Sequence, residues 1–224
     1  MAKISINKLG EYLITSNPNR RKSIITEQKT PNSFAVPRYR NAYGPIHQFL
    51  SSYGTGHDAI YSAIDALRLD LTGSEWKIND NQNTAEALEN FIDVSDSVIN
   101  EDYTYLLGDT NPPKLVIAGV DISVRPDIII HFNKRNVECI GAIKLHFIKD
   151  EEKALTVDGA QYVGVMLYEW LKEFGEQGKT PQHSHCFVID CFRKQVTTAP
   201  ANYRRRLQHI ETACSEILNQ WDFV

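Results

Sequence analysis

No apolar run in the 224-residue chain approaches the ~18 residues that a membrane span requires. The opening residues, MAKISINKLGEYL, lack the apolar stretch of a secretion signal. Both absences point to the cytoplasm and away from a membrane. The four cysteines, Cys139, Cys186, Cys191 and Cys214, include no CxxC pair, so spacing indicates neither a zinc ribbon nor a disulfide framework, and reduced thiols are expected. Gly54-Thr55-Gly56 lacks the lysine of a phosphate-binding loop. Repeats and low-complexity tracts are absent too. What remains is ordinary globular composition: 42% hydrophobic and 23% charged residues, which excludes a disordered, collagenous or coiled-coil chain. The length allows one large domain, or one domain with a helical appendage.

The net charge of -4 is unevenly spread. Residues 1 to 50 carry 8 basic and 2 acidic side chains, residues 51 to 110 carry 2 and 12, and residues 111 to 224 carry 14 of each. A basic N-terminal segment on an otherwise acidic chain fits either a local polyanion contact or a solvated basic face. On the first reading Arg20, Arg21, Arg38 and Arg40, with Lys22 beside them, contact nucleic-acid phosphates.

Residues 4 to 15 place Ile6, Leu9, Leu13 and Ile14 at helical spacing. From 19 to 43, basic residues, Pro31, Pro37 and isolated aromatics show no clean period, which reads as extended or irregular. Helices are expected at about 45 to 52 and 57 to 71, then a boundary where Gly73, Asp80 and Asn79, Asn81 and Asn83 cluster. This divides the chain into a mostly helical, basic subdomain over residues 1–80 and an α/β core over 81–224. In the core a helix over 84 to 92 precedes β-branched runs at 115–118, 120–124, 127–132 and 137–147, read as a meander. A long helix over about 156 to 174, strands at 185–190 and 195–198, and a helix over 200 to 222 complete it.

The chemistry-bearing stretch is SVRPDIIIHFNKRNVECIGAIKLHF. Pro126-Asp127 opens one strand, and the next carries Gly141-Ala142-Ile143-Lys144. Strand side chains alternate, so Ala142 and Lys144 share a face. A lysine among Ile140, Ile143 and Leu145 is costly unless paired, although one at a sheet edge can extend its amine to water.

Pro126, Asp127 and Lys144, on strands joined in this way, resemble the PD-(D/E)xK nuclease superfamily, which includes many restriction endonucleases and recombination exonucleases. The resemblance spans roughly residues 84 to 198. It implies a restriction endonuclease-like fold, a mixed central sheet flanked by helices, and Mg²⁺- or Mn²⁺-dependent hydrolysis of phosphodiester bonds, DNA being the expected partner. In the superfamily the Asp and the acid two residues before the Lys hold the metal, because hard divalent cations prefer carboxylate oxygens. The Lys orients or activates the attacking water. These roles fall on Asp127, position 142 and Lys144. An acid from the first core helix, Glu86 or Glu89, and Gln161 on the helix after Lys144 are implied as further members. A prokaryotic restriction or phage-defence role, with a homo-oligomer or a partner subunit, follows by the same resemblance.

The acid position holds Ala142, and a methyl group binds no metal. Three explanations stay open: a Glu or Asp replaced to trap an inactive enzyme, a naturally silent nuclease fold serving as a binding or complex-forming subunit, or a carboxylate supplied from elsewhere. The first is favoured because Asp127 and Lys144 are still in place. Glu138, four residues earlier, lies about 13 Å away along the strand and is too far to substitute. His183, His185, Cys186 and Cys191 fit no common zinc spacing. His146 follows Lys144 on the same face and borders the site or ends the sheet. Arg204, Arg205 and Arg206, at the start of the last helix, are either solvated or phosphate contacts.

Overall fold

The computed structural model describes residues 1–31 and 38–224. A short strand, β1 (Lys3–Ser5), runs directly into helix α1 (Ile6–Ile14). Ser5 caps α1, its hydroxyl accepting from the Lys8 amide at 3.4 Å, and Ile6, Leu9 and Tyr12 are buried. Helix α2 (Pro18–Lys29) follows where an irregular segment is expected from sequence. It starts because Asn17 Oδ1 accepts from the amides of Asn19 (2.9 Å) and Arg20 (3.4 Å), while the fixed φ of Pro18 suits the first turn. Only Ile24 and Ile25 of α2 are buried, so its apolar period is nearly invisible. Pro37, in the same expected irregular stretch, lies outside the described residues.

A 3-10 turn (Arg40–Ala42) leads into α3 (Tyr43–Ser51), α4 (His57–Leu69) and α5 (Glu75–Ser95). The Ser74 hydroxyl accepts from the Lys77 amide at 3.3 Å and starts α5 well before residue 84. The Asn-rich stretch read as a boundary is therefore helical. Asn81 is buried and donates to Asp70 Oδ2 at 3.2 Å, tying α5 to the end of α4. Position 80 lies inside α5, so the proposed subdomain border falls within a continuous helix.

The remaining elements are β2 (Thr104–Leu107), β3 (Leu115–Ile117), β4 (Val120–Ser123), β5 (Ile128–Lys134), β6 (Val137–His146), α6 (Val157–Phe174), β7 (Thr180–Asp190), β8 (Gln195–Thr198) and α7 (Tyr203–Gln220). A five-stranded sheet has the order β2-β5-β6-β7-β8, antiparallel except for β6 and β7, which α6 connects in parallel. A smaller sheet has the order β1-β4-β3. The expected meander is thus split: β3 and β4 pair with each other, and β4 pairs in parallel with β1 from Lys3↔Asp121 to Ser5↔Ser123. The protein is an α/β structure, an N-terminal helical region followed by mixed sheets packed with helices.

Each face of the large sheet has its own core. Ile140, Ala142, Cys186 and Val188 pack on one face with residues of α1, α6 and α7. Ile128, Ile130, Ile143, Leu145 and Ile189 pack on the other with α3, α4 and α5. Helix α1 approaches α6 closely because Gly10 lacks a side chain: a Cβ there would stand 3.2 Å from Gly159 O and 3.0 Å from Val163 Cγ2. This contact brings the first turn of α1 to the end of β6. Among the described residues, no helix is long and apolar enough to cross a membrane.

Candidate active site at the end of strand β6

Strand β5 begins at Ile128, opposite Ile143, and Asp127 lies one step further, beside Lys144. Alternation puts Asp127 and Ile129 on the face that carries Ala142 and Lys144, since Ile129 pairs with Ala142. Lys144 Nζ donates to Asp127 Oδ1 at 3.0 Å and to the Arg125 carbonyl at 2.9 Å. The second oxygen, Asp127 Oδ2, accepts from the Leu145 amide at 2.6 Å. The two side chains are 10% and 12% exposed, so water screens the pair poorly. Burial pushes the Asp127 carboxyl upward, against the opposing pull of Lys144 and the Leu145 amide.

Position 142 lies on this face, two residues from Lys144, and its methyl group is fully buried. No group of three or more His, Cys, Asp or Glu side chains able to hold a metal forms among the described residues. Asp127 is a single carboxylate with both oxygens already engaged. The donor set as it stands therefore does not fit Mg²⁺ or Mn²⁺, which take several oxygen ligands.

The other acids are paired elsewhere. Glu138 binds Lys179 at 3.0 Å and Glu89 binds Arg68 at 2.6 Å. Glu86 comes nearer, because it holds Lys149 at 2.5 Å and Lys149 lines the cavity beside Lys144. Gln161 accepts from Arg206 of α7. Thus the structure brings together Asp127, position 142 and Lys144, leaves Glu86 at the rim, and engages Glu89 and Gln161 with partners on other helices.

The basic residues divide in the same way. Arg20 is bound to Glu11 and Glu27, and Arg21 to the Thr15 carbonyl (2.7 Å) and Glu216 (3.3 Å) with its guanidinium over Tyr12. Arg40 is exposed on the 3-10 turn. Arg38 is exposed as well and lines the same cavity as Lys144. Arg206, one of the three arginines opening α7, is held by Asp158 at 2.5 Å. The His183 to Cys186 run is structural: His185 stacks on Phe132 and meets the Tyr103 hydroxyl at 2.9 Å, whereas Cys186 is buried in the core on the opposite face.

Two cavities meet at Lys144. One, of about 520 Å³, is lined by residues that include Asn7, Arg38, Tyr43, His146 and Lys149. A smaller one, of about 300 Å³, is lined by Ser5, Ile6, Asn7, Ser123 and Arg125. Asn7 and Lys144 belong to both. Sequence reasoning missed Asn7, which lies on the polar side of an amphipathic helix and carries no local signal. It also missed Gly108, whose amide donates to the Asp127 carbonyl at 3.0 Å, and where a Cβ would fall 1.9 Å from Pro126 O. Only glycine lets that segment press against the Pro-Asp turn and hold Asp127 in register. No protein family model matches the chain, and no curated protein matches it.

Proposed function

We propose that the chain is a cytoplasmic PD-(D/E)xK-type protein acting on DNA, built for phosphodiester hydrolysis and silent as it stands because Ala142 occupies the position of the second acid. The observation that carries this reading is the direct contact of Asp127 with Lys144, on the sheet face that also presents position 142. In this reading Asp127 holds the Lys144 ammonium at the strand end, and Lys144 faces both cavities, where it orients a phosphate oxygen. Arg38 supplies further positive charge at the mouth, where Lys149 is paired with Glu86. Restriction or phage defence is the biological role that such an activity would serve, with a second copy or a defence subunit as companion.

A second reading has its own support. Complete burial of the Ala142 methyl and full engagement of both Asp127 oxygens fit a subunit that binds nucleic acid and performs no chemistry. A cleavage assay with Mg²⁺, run on Ala142→Glu and on Ala142→Glu/Lys144→Ala together with any partner subunit, separates the two. Cleavage by the first variant and none by the double variant supports the nuclease. No cleavage by a folded Ala142→Glu, with DNA binding by the present chain retained, supports the binding subunit.

A further inference from the structure

The larger cavity has features that the cleavage reading does not use. Its volume of about 520 Å³ falls within the range of small-molecule sites. Arg38, Lys144, Lys149 and Lys153 line it; Lys144 is paired with Asp127, Lys149 with Glu86 and Lys153 with Asp150, and the Lys149 side chain is 51% exposed beside the exposed Arg38.

Aromatic surface completes the cavity. Tyr43 is half-buried and meets Phe147 edge-on at 5.8 Å, and Phe147 stacks on Tyr39 at 5.2 Å. Tyr39 is held with φ at 60°, the left-handed region that a bulky residue seldom adopts, while its amide donates to Asp80 Oδ1 at 3.2 Å. The chain thus bears local strain to keep this ring on the wall.

We propose that this cavity binds one unpaired nucleoside monophosphate unit, its phosphate against Arg38 and Lys149 and its base against Tyr43. The Arg38 guanidinium and the exposed Lys149 amine, which a phosphate would share with Glu86, suit a phosphate, and the aromatic wall suits a base. A base stacked and paired within a duplex does not reach such a wall, so the unit is a free nucleotide or an unpaired residue of a strand. For the strand source the inference rests on the DNA reading above, and the shared wall at Asn7 and Lys144 lets a strand continue into the smaller cavity. For the free nucleotide it stands alone.

The test uses the full chain and three probes containing 2-aminopurine, whose fluorescence reports stacking: the deoxynucleoside 5′-monophosphate, a single strand bearing it at the 5′ end, and that strand in a blunt duplex. Binding is measured for the present chain, Arg38→Ala and Lys149→Ala. The Lys149 side chain is 51% exposed, so its removal keeps the test available should Arg38→Ala fail to fold. The expected result is saturable binding of the monophosphate, tighter binding of the single strand than of the duplex, and about tenfold weakening in each folded variant. Monophosphate binding without strand binding keeps the cavity assignment, identifies the free nucleotide as the ligand and removes the DNA reading. Absence of monophosphate binding, affinities unmoved by the variants, or a duplex bound as tightly as the single strand overturns the inference. Failure of Ala142→Glu to cut DNA leaves it untouched.

Discussion

The Leu145 amide donates a 2.6 Å hydrogen bond to Asp127 Oδ2 just beyond Ile128, the first residue of β5. The carboxylate thus takes over a backbone donor of β6 beyond the last strand pair, while its other oxygen holds Lys144. Asp127 is structural as well as a candidate site residue. Removing one partner of a buried pair costs ~3–5 kcal/mol, because the other charge is left uncompensated. Asp127→Ala is expected to lose stability in that range. Asp127→Asn is expected to lose less, since an amide oxygen still accepts from Leu145. Urea denaturation midpoints of the two variants measure this, and equal losses contradict it.

Arg38 and Arg20 belong to one basic segment and have different surroundings. Arg20 is bound to Glu11 and Glu27, whereas Arg38 is exposed at the cavity mouth. Each phosphate neutralised contributes about -0.9 to the slope of log K against log salt for B-DNA. Arg38→Ala is expected to flatten the slope by about one unit, and Arg20→Ala to leave it unchanged while lowering stability by ~0.5–1 kcal/mol. Binding titrations over a range of salt, paired with thermal melts, check both. An equal slope change for the two variants contradicts this division.

How much of this was legible in the sequence depends on whether the signal was local. The alternation around Asp127, Ala142 and Lys144 is local, as are the apolar stripe of α6 and the strands near 190, and each lies close to where it was read. Strand β1 has three residues inside an apparent helical pattern and exists because β4 lies beside it. Strand β2 exposes three of its four residues and shows no alternation. Helix α2 depends on the Asn17 cap more than on any apolar period. For the site, the Asp127–Lys144 pair was readable because both residues lie on paired strands. Asn7 was not, because only the close packing of α1 against α6 brings it there. Glu89 and Gln161 were drawn to Arg68 and Arg206, partners whose positions depend on tertiary packing.

His146 gives the chain a specific acid sensitivity. Burial lowers its pKa to about 4, with Asp190 and Glu11 favouring the charged ring and Arg193 and Lys144 opposing it. The folded pKa lies below the unfolded value of ~6.5, so the unfolded chain takes up the proton first as pH falls. The contribution is present in full above about 6.5 and is lost progressively as pH falls to about 4, on the order of 3 kcal/mol. His146→Gln, which does not titrate, is expected to show a shallower loss of melting temperature over that interval. Parallel pH profiles for the two proteins contradict this.

Under the proposed nuclease reading a carboxylate at position 142 would join Asp127 in holding a metal ion, and the melting temperature of Ala142→Glu with and without Mg²⁺ tests this most directly. Ala142 is fully buried, so a glutamate there introduces a crowded, unpaired charge and is expected to destabilise the chain by a few kcal/mol in chelator. If the new carboxylate and Asp127 together hold the ion, Mg²⁺ at about 100 times its dissociation constant restores ~2.7 kcal/mol, while the present chain and Ala142→Gln show no comparable response. A folded Ala142→Glu with the same melting temperature in saturating Mg²⁺ and in chelator would contradict the account.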